Sequence, residues 1–141
     1  MEYRIDEEKL SKLAKKKPNW IIHGVLDNGS FKPYRCDFHT HGLDKYDSKE
    51  LQLTIAINPQ TACFTINSIG LLIRNGEKFQ AGDKIFGLYD DPEMSIGFID
   101  AKDSAYKDVL RICLPDKNGK VFPNEAEGIF KEQGTDPYFT N

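Results

Sequence analysis

Residues 51–75, LQLTIAINPQTACFTINSIGLLIRN, constrain the fold more than any other part of the chain. Leu51, Leu53, Ile55 and Ile57 alternate with Gln52, Thr54, Ala56 and Asn58. Period-2 alternation predicts a half-buried strand of an antiparallel sheet. Asn58 then offers a side-chain cap and Pro59 suits a first helical position, where its missing N–H costs nothing. From Gln60 to Asn75, the residues Ala62, Cys63, Ile66, Ile69, Gly70 and Ile73 recur at helical spacing, with Phe64, Leu71 and Leu72 widening the stripe. So broad an apolar face predicts the main helix, packed on the sheet. Gly76 supplies a left-handed residue to stop it.

The flanking segments repeat this alternation of elements. Asp6 to Lys17 reads as a short helix capped by Asp6, with Glu7 and Glu8 at its positive end and Leu10, Leu13 and Ala14 as a narrow stripe. Pro18 ends it. Two β-type runs flank Asp27-Asn28-Gly29-Ser30, and Asn-Gly signals a hairpin turn. KIFGLYD and MSIGFIDA read as strands on either side of Asp90-Asp91-Pro92-Glu93. The β-branched content of DVLRICL makes it a strand. Residues 124–141 lack periodicity and are expected to form a loosely attached tail. The expectation is a single α+β domain over residues 1–141: an N-terminal helix over 1–18, a core over 20–123 and the tail. Its sheet is largely antiparallel with five to six strands, and one main helix covers a face.

Charge and cysteine content narrow the partners. The 141 residues carry a net charge of -3, which gives no general attraction to phosphate backbones or anionic lipid. Lys15-Lys16-Lys17 reads as the solvated end of the first helix. Nine Phe and six Tyr are spread over nearly every element, as core residues are, so no nucleic-acid partner is expected. No apolar run approaches the ~20 residues that cross a bilayer, and the polar start MEYRIDEEKL lacks the layout of a signal peptide. Three widely spaced cysteines do not make a disulfide framework. The expected location is the cytoplasm, with reduced thiols.

CDFHTHG, residues 36–42, is the stretch that most suggests chemistry. If it is extended, Asp37, His39 and His41 point to one face. Two imidazoles at i and i+2 can share a metal, and a carboxylate two residues earlier can complete or orient the site. Barrel hydrolases opening with such a motif need roughly 200 or more residues, and no histidine follows His41. That reading fails. A smaller site needs His23 as third histidine, and strand register decides it. A two- or four-residue loop around Asn28-Gly29 pairs His23 with Tyr34, on the face opposite His39; a three-residue loop or a bulge brings it to the same face. The two-residue turn is the commoner, which argues against a three-histidine site. The alternative is that His39 and His41 bond within the sheet or sit at its edge.

Other constellations carry less. Cys63 lies near a helix start, where amide dipoles can acidify a thiol; its place on the apolar face favours a small buried hydrophobe. Cys36 and Cys113, inside strands, read as core residues. RNGEKFQAGDK lacks the glycine spacing of a phosphate loop and follows a helix rather than opening one.

FHTHGLDKYDSKELQLTIAI, INSIGLLIRNGEKFQAGDKIFGL and LPDKNGKVFP, taken in this order, resemble the bacterial family catalogued as domain of unknown function 4262. The resemblance runs from about Trp20 to Pro123 and implies no activity or catalytic residues. The functional expectation is a non-enzymatic domain that binds a protein or small-molecule ligand, without a cofactor and able to form a homodimer through a sheet edge. The alternative is a small metal-binding protein or metal-dependent hydrolase, with zinc or a similar divalent transition metal on His39, His41, Asp37 and His23.

Overall fold

A computed structural model describes residues 1–25 and 35–136. In chain order the elements are β1 (Glu2–Arg4), α1 (Glu7–Ala14), β2 (Ile21–Val25), β3 (Arg35–His41), β4 (Glu50–Ile55), α2 (Pro59–Arg74), β5 (Lys84–Phe86), β6 (Ser95–Lys102) and β7 (Asp108–Cys113). Short 3-10 turns lie at Asp44–Tyr46 and Gly128–Gly134. Among the described residues the strands form one seven-stranded sheet in the order β1-β5-β6-β7-β4-β3-β2.

The α+β class holds, but the sheet is larger and more mixed than expected. β1 runs parallel to β5 and β4 parallel to β7; the other four pairings are antiparallel. The strand beyond the expected five to six is β1. Its three residues, Glu-Tyr-Arg, are too few for periodicity to register. The turn expected at residues 27–30 lies outside the described residues, as do residues 137–141.

α2 forms where its sequence dictates. The Asn58 carboxamide accepts from Gln60 N at 2.8 Å, and Pro59 opens the first turn. At the other end Gly76 takes a φ of 107°, and Glu77 N reaches back to Leu72 O. Ile66, Ile69 and Leu72 of α2 join Leu51 and Leu53 of β4, Phe98 of β6 and Ile112 of β7 in one core. Burying each such side chain is worth roughly 1.5–3 kcal/mol. Gly70 lets α2 approach Trp20 closely: a Cβ there would stand 2.5 Å from Trp20 Cζ2. The indole N–H donates to Asn67 Oδ1 at 2.9 Å, so the buried ring keeps its polar edge satisfied.

β4 is not half-buried. Gln52 and Thr54, on its second face, are as inaccessible as Leu51 and Leu53 on the first. The cover comes from the region expected to be a loose tail. Gln133 is fully buried and clamps Leu114, accepting from its N at 2.7 Å and donating to its O at 2.9 Å. Through residue 136 this segment is docked onto the sheet. Its hold joins one apolar side chain, Phe130, packed against the core, to polar contacts by single residues, which leaves no hydrophobic period in the sequence. Among the described residues, no helix is long and apolar enough to cross a membrane.

Candidate metal centre

Among the described residues β2 is one edge of the sheet, paired with β3 alone. The register sets His23 directly opposite His39, Ile22 opposite Thr40 and Gly24 opposite Phe38. Directly opposed residues share a face of the sheet, and His41, two residues beyond His39, shares it too. The expected pairing of His23 with Tyr34 is therefore overturned. Packing explains the register. Ile22 and Phe38 both lie against the core on the helix side, and Gly24 leaves room for the Phe38 ring, 3.1 Å from where a Cβ would stand. A slip of one residue would bury His23 and expose Ile22.

The three imidazoles form a compact group. His39 Nε2 lies 3.2 Å from His41 Nε2. The rings of His23 and His39 are 5.1 Å apart between centroids, and one ligand nitrogen from each histidine can be chosen within 4.8 Å of the others. Two nitrogens bound to one tetrahedral zinc sit roughly 3.3 Å apart, given Zn–N bonds of about 2.0–2.1 Å. The His39–His41 pair already has that separation, whereas the exposed His23 stands farther off, with the three donors within 4.8 Å of one another. His39 is buried, while His23 and His41 reach solvent.

Asp37 stands behind this group rather than in it. Its Oδ1 is 3.0 Å from His39 Nδ1, although the N–H direction is poor for a hydrogen bond. Oδ1 also accepts from Gln52 Nε2, and Oδ2 from Ser104 N, both at 2.9 Å. The carboxylate faces the ring nitrogen opposite the one that meets His41, so its part is to orient His39, not to ligate alongside it. This contact with Asp37 raises the His39 pKa against the opposing effect of burial. For Asp37, burial pushes the pKa upward, but the close approach of His39 and the hydrogen bonds from Gln52 and Ser104 outweigh it and the net shift is down. The ionised carboxylate is thus favoured in a buried site because Gln52 and Ser104 donate to it and His39 lies beside it.

Three further residues complete the arrangement. Gln52 Oε1 accepts from Arg111 Nε at 2.7 Å while its Nε2 holds Asp37. Arg111, fully buried, also donates to Gln133 O, Lys102 O and Asp136 Oδ1. Glu50 closes the far end of β3, accepting from Thr40 Oγ1 at 2.8 Å and from Leu43 N at 2.9 Å. Sequence reasoning passed over these three. A single arginine inside the apolar run DVLRICL was the one signal for the network, since a charge there must find partners or stay outside the fold.

The cysteines lie apart from this chemistry. Burial pushes the Cys36 and Cys113 thiols up to about 12. Cys63, expected to be a buried hydrophobe, is only partly buried.

Compared with protein-family models, with curated proteins and with solved structures, the chain matches none.

Proposed function

We propose that this protein binds a divalent transition metal, zinc by the nature of its donors, at His23, His39 and His41, and uses the ion to hold a ligand. The reading rests on one observation above the others: three imidazoles gathered on one face, with two of their nitrogens already at metal-sharing distance. Three neutral imidazoles suit zinc, and Asp37 behind His39 supplies the carboxylate–histidine pairing that orients ligands in such sites. Three protein donors would leave a zinc ion a fourth position for a ligand, and His23 and His41 reach solvent. A donor atom from a small molecule or a partner protein fits there. A second chain approaching along the β2 edge could also provide one.

On this reading the domain is a cytoplasmic binding module rather than an enzyme. Membership of the family catalogued as domain of unknown function 4262 rests on the short motifs that resemble it and adds no activity. The accessible fourth position favours hydrolysis as a second reading, because zinc brings a bound water to a pKa of about 7. Chelator-sensitive turnover of activated esters or phosphoesters, lost in His39→Ala, would put hydrolysis first.

Calorimetric titration of metal-free protein with zinc tests the binding. One ion per chain should bind, with proton release where His39 begins protonated. His39→Ala and His41→Ala should abolish binding, and Asp37→Asn should weaken it by roughly 10–100-fold. Equal binding by wild type and the histidine variants would end the metal reading.

A further inference from the structure

The buried polar residues behind the histidines form one continuous chain of contacts across the sheet. It starts at His39, whose Nδ1 is 3.0 Å from Asp37 Oδ1. Asp37 is held by the Gln52 amide, and the other end of that amide accepts from Arg111 Nε. Arg111 in turn donates to three groups of the C-terminal segment: Gln133 O at 2.8 Å, Thr135 O at 3.2 Å and Asp136 Oδ1 at 2.8 Å. Asp37, Gln52 and Arg111 are all fully buried, so none can exchange a lost partner for water without opening the structure.

We infer that Gln52 and Arg111 are positioning residues for the histidine site, and that docking of residues 128–136 is coupled through them to metal affinity. This rests on the metal reading and adds a means of regulating the same site. The direction of each bond fixes the order of influence. Gln52 can give its N–H to Asp37 only while its carbonyl end faces Arg111; a flipped amide would set a carbonyl against a carboxylate and an NH2 against a guanidinium. Arg111 keeps its place because the C-terminal segment supplies two carbonyls and a carboxylate to a buried cation, which otherwise carries a heavy desolvation cost. Undocking the segment leaves Arg111 with Lys102 O and Gln52 Oε1 as partners for a five-donor cation, and draws it toward solvent. Gln52 then keeps Lys102 O as a partner for its amide N–H but loses the cation that fixes its carbonyl end, and its hold on Asp37 beside His39 weakens. Outer partners of this kind typically govern metal affinity by 10–100-fold. The coupling is reciprocal: whatever docking does for the metal, the metal does for docking.

Gln133 is the place to test this, because it clamps the segment to Leu114 and touches neither a histidine nor Asp37. Zinc affinity would be measured by chelator competition on the full chain, wild type and Gln133→Ala, beside the circular dichroism spectrum of each metal-free protein. In the same experiment amide exchange of residues 128–136 would be followed in wild type with and without zinc. The expected result is a roughly tenfold or greater loss of zinc affinity in Gln133→Ala with the sheet signal kept, and slower exchange of the segment when zinc is bound. If Gln133→Ala does not fold, Asp136→Asn takes its place, since that half-exposed carboxylate meets Arg111 at the rim. A purely structural role for the network would leave segment exchange indifferent to zinc. Unchanged exchange, or equal affinity in wild type and the folded variant, overturns the coupling while zinc binding by wild type leaves the metal reading standing. Failure of wild type itself to bind zinc overturns both.

Discussion

The two faces of β4 are equally buried and differently built. Toward α2, Leu51 and Leu53 join an apolar core held by area alone. On the reverse, Gln52 lies among Asp37, Arg111 and the C-terminal segment, where each group depends on a specific partner. Hydrophobic burial is non-directional and tolerates adjustment. A buried polar network is stable only when satisfied throughout, and the loss of one member strands the rest. The apolar face therefore secures the fold, and the polar face secures the geometry around His39.

Single substitutions on the two faces would break this comparison if it is mistaken. Arg111→Ala should be the costlier, lowering unfolding free energy by roughly 3–5 kcal/mol, because it strands Gln52 and the segment's carbonyls together. Leu53→Ala should cost about 3.5 kcal/mol, the middle of the range for a truncated core leucine. Urea denaturation of both variants measures the difference. A cost for Arg111→Ala well below that for Leu53→Ala would mean that the polar face contributes little.

A pH series sharpens the contrast, since only the polar face titrates in the neutral range. The contact with Asp37 raises the His39 pKa above its ordinary value of about 6.5. The metal-free protein therefore holds this stabilisation fully below about pH 6.5, and loses it as pH rises through the folded-state value. Zinc requires neutral imidazole, so its stabilisation should grow over the same interval. Melting temperature against pH should slope downward for metal-free protein, with the gap to the zinc-saturated protein widening. Parallel curves would detach His39 from the metal.

Thiol reactivity is the mildest test. With Cys36 and Cys113 pushed up to about 12 by burial and Cys63 partly exposed, one thiol of three should label readily in native protein. Rapid labelling of all three would mean that the sheet interior opens far more often than its packing implies.

The apolar face was legible in the sequence, and the polar face largely was not. Alternation from Leu51 to Ile57 and the spacing from Ala62 to Ile73 revealed β4, α2 and their contact, because nonspecific burial leaves a period. Gln52 and Thr54 looked like solvent-facing residues, since a polar side chain reads the same whether water or a partner satisfies it. The cover came from residues 128–134, whose polar clamp is Gln133, a residue with no pattern around it. Asp37, His39 and His41 were found by their spacing in one strand. For His23 the sequence left two registers open; Asn28-Gly29 favoured the tight hairpin that sets it apart, whereas the observed register follows the packing of Ile22 and Phe38 and brings it to the face of His39.

Elemental analysis of the purified, untagged protein beside a His39→Ala, His41→Ala double variant tests the metal site most directly. Zinc or a similar divalent metal near one ion per chain in wild type, and none in the variant, is the expected result. No metal in either protein, or the same metal in both, would contradict a site at these histidines.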